Sequence, residues 1–308
     1  MTPTDNAQTQ LSNTIIHQPN IFTCTALTRT NQIKYLIDSN NRSIKLNFSF
    51  CEGSKHKKII LGIHGFAEHS GSFNTARDFF INEGYDFITF DLPGFGGSDG
   101  QRAFIEDFDE YIDVVRLVHS EILNFSSDEN LVFYAHSMGG LISLLYLSKY
   151  HSNIAGLILT APLINLSLAN RISSWIAYKL FHKLLPKKPL FYRINYKILS
   201  NIPHQINALR LDKYRTRRIN LSFLKAMFEA ISRLKDEKNL PKCPVLVVKA
   251  CSDKVIDPSS IDTFFPKLSH RLNQLLCLST SQHDIIHDIR QQEILSYFKF
   301  WLGKIGSK

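Results

Sequence analysis

Residues 131–141 read LVFYAHSMGGL, and the fold turns on how this stretch is read. Leu131 to Ala135 is a short apolar run ending in small residues. Leu141 to Tyr150 (LISLLYLSKY) is long and leucine-rich, as expected of a buried helix. A strand, a sharp turn and a helix therefore follow one another, with Ser137 at the apex. This is the pattern of a nucleophile elbow, in which a serine hydroxyl is exposed between strand and helix. Small residues are needed two positions to either side, where strand and helix nearly touch. Gly139 meets that need on one side and Ala135 on the other, with one extra methyl. The plain alternative is a strand, a small-residue turn and a helix with no chemistry, and only partners for Ser137 can decide between the two.

Working outward, apolar runs predict strands at Lys34–Ile37, Ile44–Phe50, Lys58–Ile63, Phe87–Phe90, Leu131–Ala135, Leu157–Thr160, Val245–Ala250 and Gln274–Leu278. From the third onward most are too apolar to have one exposed face, which suits a parallel sheet covered on both sides. Helical patterns lie between them at Phe73–Asn82, Phe108–Leu123, Leu141–Tyr150, Ile261–Leu268 and Gln291–Leu302. The alternation predicts an α/β doubly wound sheet. It breaks between Thr160 and Val245, where no strand is expected. Helices are predicted there at Ala169–Leu185, Leu190–Ser200 and Leu221–Lys235, with PKKP (Pro186 to Pro189) separating the first two. The expected organisation is a polar tail over 1–20, a core formed by 21–162 and 241–308, and a helical, basic insertion over 163–240.

Ligands of open α/β sheets bind beyond the carboxyl ends of the strands, so the partners of Ser137 should follow later strands. CSDKVIDP follows VLVVKA and offers Asp253 and Asp257. SQHDIIHD follows QLLCLST and offers His283 and His287. Asp253 and His283 are preferred because they lie nearer their strand ends, and Asp257, before a proline, suits a helix cap. His283 would take the serine proton and pass it to the leaving alcohol, while Asp253 holds the imidazole tautomer. An oxyanion needs fixed N–H donors. Met138 follows the serine, and the loop IHGFAEHSGSF places Phe66 after a glycine that lets the backbone turn, so these two backbone N–H groups are the candidates. His64 and His136 are read as structural.

These segments resemble the α/β-hydrolase superfamily. HGFAEHSG, DLPGFGGSDG, AHSMGG, CSDKVIDP and QHDIIHD look like its successive signatures, more narrowly those of the monoacylglycerol lipase and lysophospholipase branch, from about Leu36 to Leu302. The resemblance implies the α/β-hydrolase fold, Ser137 as nucleophile, Asp253 as acid, His283 as base, and Phe66 and Met138 as oxyanion donors. It also implies that the insertion is a cap forming an acyl-chain tunnel. Two positions depart from the pattern: Ala135 replaces the usual glycine, and Pro93 stands where the branch usually has arginine.

Composition narrows the function. The chain has 308 residues, 44% hydrophobic and 20% charged, an ordinary globular balance. No apolar run approaches a membrane span, and the polar N-terminus lacks the pattern of a secretory signal. Five cysteines without metal-type spacing are read as reduced residues, with Cys51, Cys243, Cys251 and Cys277 in or beside core strands. A cytoplasmic protein with no cofactor and no metal is expected. The net charge of +9 is local: residues 163–240 hold 16 Lys or Arg against 4 Asp or Glu, a net +12 that leaves −3 elsewhere. Arg215, Arg217 and Arg218 with neighbouring lysines could face phospholipid headgroups, so peripheral contact of the cap with an anionic membrane is expected. No nucleic-acid motif accompanies the charge, and nothing assigns an oligomeric state. The first cap helix carries Ile172, Trp175, Ile176, Leu180, Phe181, Leu184 and Leu185 on more than one face, for packing, an acyl pocket or a bilayer. The leading reading is a serine carboxylic-ester hydrolase of single-acyl lipids, lysophospholipid or monoacylglycerol. A general esterase or acyltransferase and a non-catalytic membrane-binding protein are the alternatives. An epoxide or haloalkane hydrolase would need a carboxylate at position 137.

Overall fold

The computed structural model describes residues 29–53, 55–56, 58–181, 189–191 and 194–306. The tail expected over 1–20 lies outside the described residues, as do Leu184 and Leu185. In chain order the strands are β1 (Arg29–Ile37), β2 (Ser43–Cys51), β3 (Ile59–Ile63), β4 (Asp86–Phe90), β5 (Leu131–His136), β6 (Gly156–Thr160), β7 (Pro189–Phe191), β8 (Arg218–Asn220), β9 (Val245–Ala250) and β10 (Gln274–Leu278). The helices are α1 (Asn74–Asn82), α2 (Asp109–Leu123), α3 (Met138–Tyr150), α4 (Leu168–Phe181), α5 (Pro203–Leu211), α6 (Leu221–Asp236), α7 (Pro258–Phe264) and α8 (Gln291–Ile305).

Eight strands form one sheet in the order β1-β2-β4-β3-β5-β6-β9-β10. The pairs β1·β2 and β2·β4 are antiparallel and the rest parallel. Every residue of β3, β4, β5, β6 and β9 is buried. Their continuous apolar character follows from that position, since helices cover both faces of a parallel sheet and leave no polar side. The helix α3 is buried from Met138 to Ser148, apolar on nearly all sides, and packs between α2 and α6. This burial fixes the helix that follows Ser137. An α/β doubly wound, mostly parallel sheet with a helical segment inserted between β6 and β9 is thus the architecture.

Several local expectations change. The edge strand β1 begins at Arg29 rather than Lys34. Its polar first half pairs in register with β2, which hydrophobicity alone does not reveal. Among the described residues, the helix expected over Leu190–Ser200 is absent, with only a 3-10 turn at Tyr196–Ile198. Instead Pro189–Phe191 pairs antiparallel with Arg218–Asn220 in a two-stranded sheet, so this insertion does contain strands. Strands of three residues carry no readable period. The helix α5 was not expected. It opens on Pro203, which suits a first helical turn, but buries only Leu209 and so shows little apolar pattern. Cys51 and Cys243 are buried as expected, whereas Cys251 and Cys277 are exposed, Cys277 lying on the edge strand β10.

Candidate active site

Ser137 sits between the last residue of β5 and the first of α3 with φ 52° and ψ −117°. A positive φ is uncommon for a residue with a side chain and signals a backbone held by its surroundings. The Ser137 N–H donates to the Thr160 carbonyl at 3.0 Å, and its own carbonyl accepts from Gly140 and Leu163, both at 2.9 Å. The close approach of α3 to the end of β3 explains the neighbouring glycine. A Cβ on Gly139 would overlap the Ile63 carbonyl oxygen. Ala135 is fully buried and paired with Ile63 and Leu159, and its methyl is accommodated there.

Asp253 and His283 leave the turns after β9 and β10 and converge on Ser137. His283 Nε2 is 2.9 Å from Ser137 Oγ, and His283 Nδ1 is 2.7 Å from Asp253 Oδ2. Asp253 Oδ1 accepts from the N–H groups of Val255 at 2.8 Å and Ile256 at 3.1 Å, which aims Oδ2 at the imidazole. The carboxylate fixes the tautomer: Nδ1–H donates to Asp253, leaving Nε2 to accept the serine hydroxyl. Burial opposes charge on His283, but the Asp253 carboxylate outweighs it and raises the pKa above the ordinary histidine value. Asp257 instead caps α7, accepting from Ser259 N–H at 3.0 Å. His287 pairs with Asp284 at 2.8 Å and does not reach the serine.

The loop after β3 lies against Ser137, for a Cβ on Gly65 would come within 3.0 Å of the serine Cβ. His64, fully buried, accepts the Leu92 N–H at Nε2 (3.0 Å), so its Nδ1–H donates to the Gly65 carbonyl at 2.8 Å. Burial holds His64 neutral, with its pKa lowered. Glu68 accepts the Gly65 N–H at 2.9 Å. The Phe66 ring packs on Phe95 and on Phe223 of α6, tying the loop to the inserted segment. Met138 opens α3, where the first N–H groups have no intrahelical acceptor. His136 hydrogen-bonds Thr160 through Nδ1, and burial lowers its pKa. Sequence reasoning gave Glu68 no role, although a carboxylate inside HGFAEHSG was a visible signal.

One cavity opens at Ser137 and a second adjoins it. The first, of about 80 Å³, is mainly apolar and is lined by Phe66, Ser137, Ile198, Leu199, Leu209 and Val255 among others. The second, of about 200 Å³, has a mixed wall, with Asn74, Gln205, Asp212, Asp284 and His287 facing it beside Phe73, Tyr134 and Ile286. Glu68, His136, Leu209, Arg215 and Asp284 border both. Arg215 therefore does not face outward as the sequence suggested. Its side chain is 5% exposed and turned inward, with Nη1 3.6 Å from Glu68 Oε1, whereas Arg217 and Arg218 are exposed. A count of basic residues cannot distinguish a side chain pointing into a cavity from one pointing to water. Among the described residues no cluster of His, Cys, Asp and Glu could hold a metal ion, and no helix is long and apolar enough to cross a membrane.

A sheet of this order, with serine, aspartate and histidine on the turns after β5, β9 and β10, defines an α/β-hydrolase. Comparison with known proteins agrees. Residues 54–290 match the family model Hydrolase_4, described as Serine aminopeptidase, S33. Phospholipase YtpA of Bacillus subtilis is 23% identical over 238 residues, 77% of this chain and 91% of that protein. Monoglyceride lipase of Homo sapiens is 29% identical over 211 residues, 65% of this chain and 67% of that one. An uncharacterized abhydrolase domain-containing protein of Dictyostelium discoideum is 25% identical over 275 residues; the match covers 89% of this chain but only 29% of that protein's length. Among solved structures, a soluble variant of monoglyceride lipase from Saccharomyces cerevisiae superposes with a TM-score of 0.79 at 21% identity, covering 93% of this chain and all of that one. The chain belongs to the Hydrolase_4 family, as a serine hydrolase of the monoacylglycerol lipase and lysophospholipase branch.

Proposed function

We propose that this protein hydrolyses the carboxylic ester of single-acyl lipids, lysophospholipids or monoacylglycerols, through an acyl-enzyme on Ser137. His283 takes the hydroxyl proton as Ser137 Oγ attacks the ester carbon. The carbonyl oxygen becomes an oxyanion, received by the backbone N–H groups of Phe66 and Met138. Collapse of the tetrahedral intermediate breaks the C–O bond, and His283 gives its proton to the leaving alcohol. Water then enters, His283 removes its proton, and the acyl group leaves as a fatty acid. Asp253 stabilises the imidazolium in both halves.

The observation that carries this reading is a mainly apolar cavity at Ser137 that joins a larger one whose wall holds several charged and polar side chains. It fits a substrate with an acyl chain on one side of the ester and a hydrophilic alcohol on the other. The domain division read from the sequence, a core of 21–162 and 241–308 under a cap of 163–240, gives the apolar wall its source, since Ile198, Leu199 and Leu209 belong to the inserted segment. At about 80 Å³ the apolar cavity is smaller than the few hundred Å³ usual for ligand sites, so a long chain requires the cap to shift. The same small volume favours a second reading, a general esterase of short acyl chains.

The cap also presents an exposed apolar stripe on α4, at Leu168, Ile172 and Ile176, and exposed Leu211 and Tyr214 beside Lys213, Arg217 and Arg218. We place this face against anionic lipid. Hydrolysis of a panel of lysophospholipids, monoacylglycerols and p-nitrophenyl esters of increasing chain length tests the function. Long single-chain esters should be cleaved best. A strict preference for acetyl esters would favour the second reading.

A further inference from the structure

Arg215 is a charged side chain without a hydrogen bond. The side chain is 95% buried, and its Nε is a buried donor with no partner. The Glu68 carboxylate supplies a counter-charge at 3.6 Å, beyond hydrogen-bond reach, while the other Glu68 oxygen receives the Gly65 N–H. The other carboxylates on the wall of the larger cavity are committed. Asp212 accepts from His69 at 2.8 Å and from the Tyr214 N–H at 2.9 Å. Asp284 is held by His287 at 2.8 Å and Gln205 at 2.7 Å. Desolvation works against charge on both carboxylates, but these partners keep them ionised, with lowered pKa values. Beside the Ser72 hydroxyl, the unmet capacity on this wall is therefore the Arg215 donor, and it lies where the two cavities join.

Burying an arginine with a donor unfilled is costly, and a ligand that accepts from it offsets that cost. A neutral hydroxyl accepts one of its hydrogen bonds and leaves its geometry half used. A phosphodiester offers two oxygens and a negative charge to the planar fork of arginine. We infer that Arg215 is a specificity-determining residue that receives the phosphodiester of a lysophospholipid headgroup, selecting it over the uncharged glycerol of a monoacylglycerol. This rests on the ester-hydrolase reading above and deepens it. On this account Arg215 touches the leaving group and takes no part in proton transfer.

The test compares lysophosphatidylglycerol with the monoacylglycerol of the same acyl chain, for the wild type, Arg215→Gln and Arg215→Lys. The ratio of the two kcat/KM values should fall by on the order of tenfold to a hundredfold in Arg215→Gln, the range for losing a hydrogen bond to a charged group. Arg215→Lys should restore part of it. An equal loss on both substrates would overturn the inference, because Arg215 would then act only as a strap between cap and Glu68. So would an unchanged ratio. A wild type inactive on both lipids yet active on p-nitrophenyl esters would instead sink the lipid reading, and the inference with it.

A second measurement needs no variant. Glycero-3-phosphoglycerol, the product that carries the phosphodiester, should inhibit wild-type hydrolysis of p-nitrophenyl butyrate at concentrations at least about tenfold below those needed for glycerol, a difference worth ~1.4 kcal/mol. Equal inhibition by the two would contradict the assignment.

Discussion

His283 Nε2 and Ser137 Oγ, 146 residues apart in the chain, stand 2.9 Å apart at the carboxyl edge of the sheet. Parallel strands produce that convergence. Each of β5, β9 and β10 delivers its next turn to the same edge, so one residue from each turn can meet the others. The distance is right for proton transfer, and Asp253, held by two backbone N–H groups, leaves the imidazole one orientation.

Asp253→Asn should lower kcat by about a thousandfold or more, because the amide no longer enforces the tautomer in which Nε2 accepts. Asp257→Asn should leave kcat within roughly threefold, since asparagine is also an effective helix cap. Steady-state kinetics of both variants decide, and the reverse ranking would show that the acid has been misassigned.

The acid limb of the kcat/KM profile should lie above the ordinary histidine value of about 6.5. The sign follows from His283. On the proposed mechanism the neutral imidazole is the base, and a raised pKa keeps it protonated to higher pH. Activity therefore rises with pH through that value, and Asp253→Asn should move the limb downward in whatever activity remains. A wild-type limb well below pH 6 would contradict the electrostatics of the pair.

Gly139→Ala should cost about 1–3 kcal/mol through overpacking and should remove most activity, because its new methyl meets the Ile63 carbonyl and displaces the elbow. Ala135→Gly, which only removes a methyl, should be much milder. Thermal unfolding of the two proteins, read beside their activity, compares them.

Binding to liposomes should rise with anionic lipid and fall as salt increases. It should weaken when Lys213, Arg217 and Arg218 become glutamine, each cation near such a surface contributing about 1 kcal/mol. Arg215→Gln should not weaken it, because that side chain faces the cavities. Co-sedimentation indifferent to both salt and lipid charge would leave the basic face without a membrane role.

Much of the sheet was legible because fully buried parallel strands are unbroken apolar runs, as in IILGI of β3 and VLVVKA of β9. The serine, aspartate and histidine were legible for a related reason, as each follows such a run. Three features were not. Strands β7 and β8 are too short to carry a period and depend on each other across the insertion. The helix α5 buries one side chain. Arg215 lies in a run of bases, KYRTRR, where sequence shows the charge but not the direction of the side chain; only packing turns it inward while Arg217 and Arg218 stay outside.

The central claim is that Ser137 is the nucleophile. Its most direct test is reaction with a fluorophosphonate, followed by peptide mass spectrometry, on the wild type and on Ser137→Ala. The account predicts one adduct, on the peptide containing Ser137, and a folded Ser137→Ala protein with neither adduct nor esterase activity. An adduct on another residue, or a Ser137→Ala protein that keeps most of its activity, would contradict it.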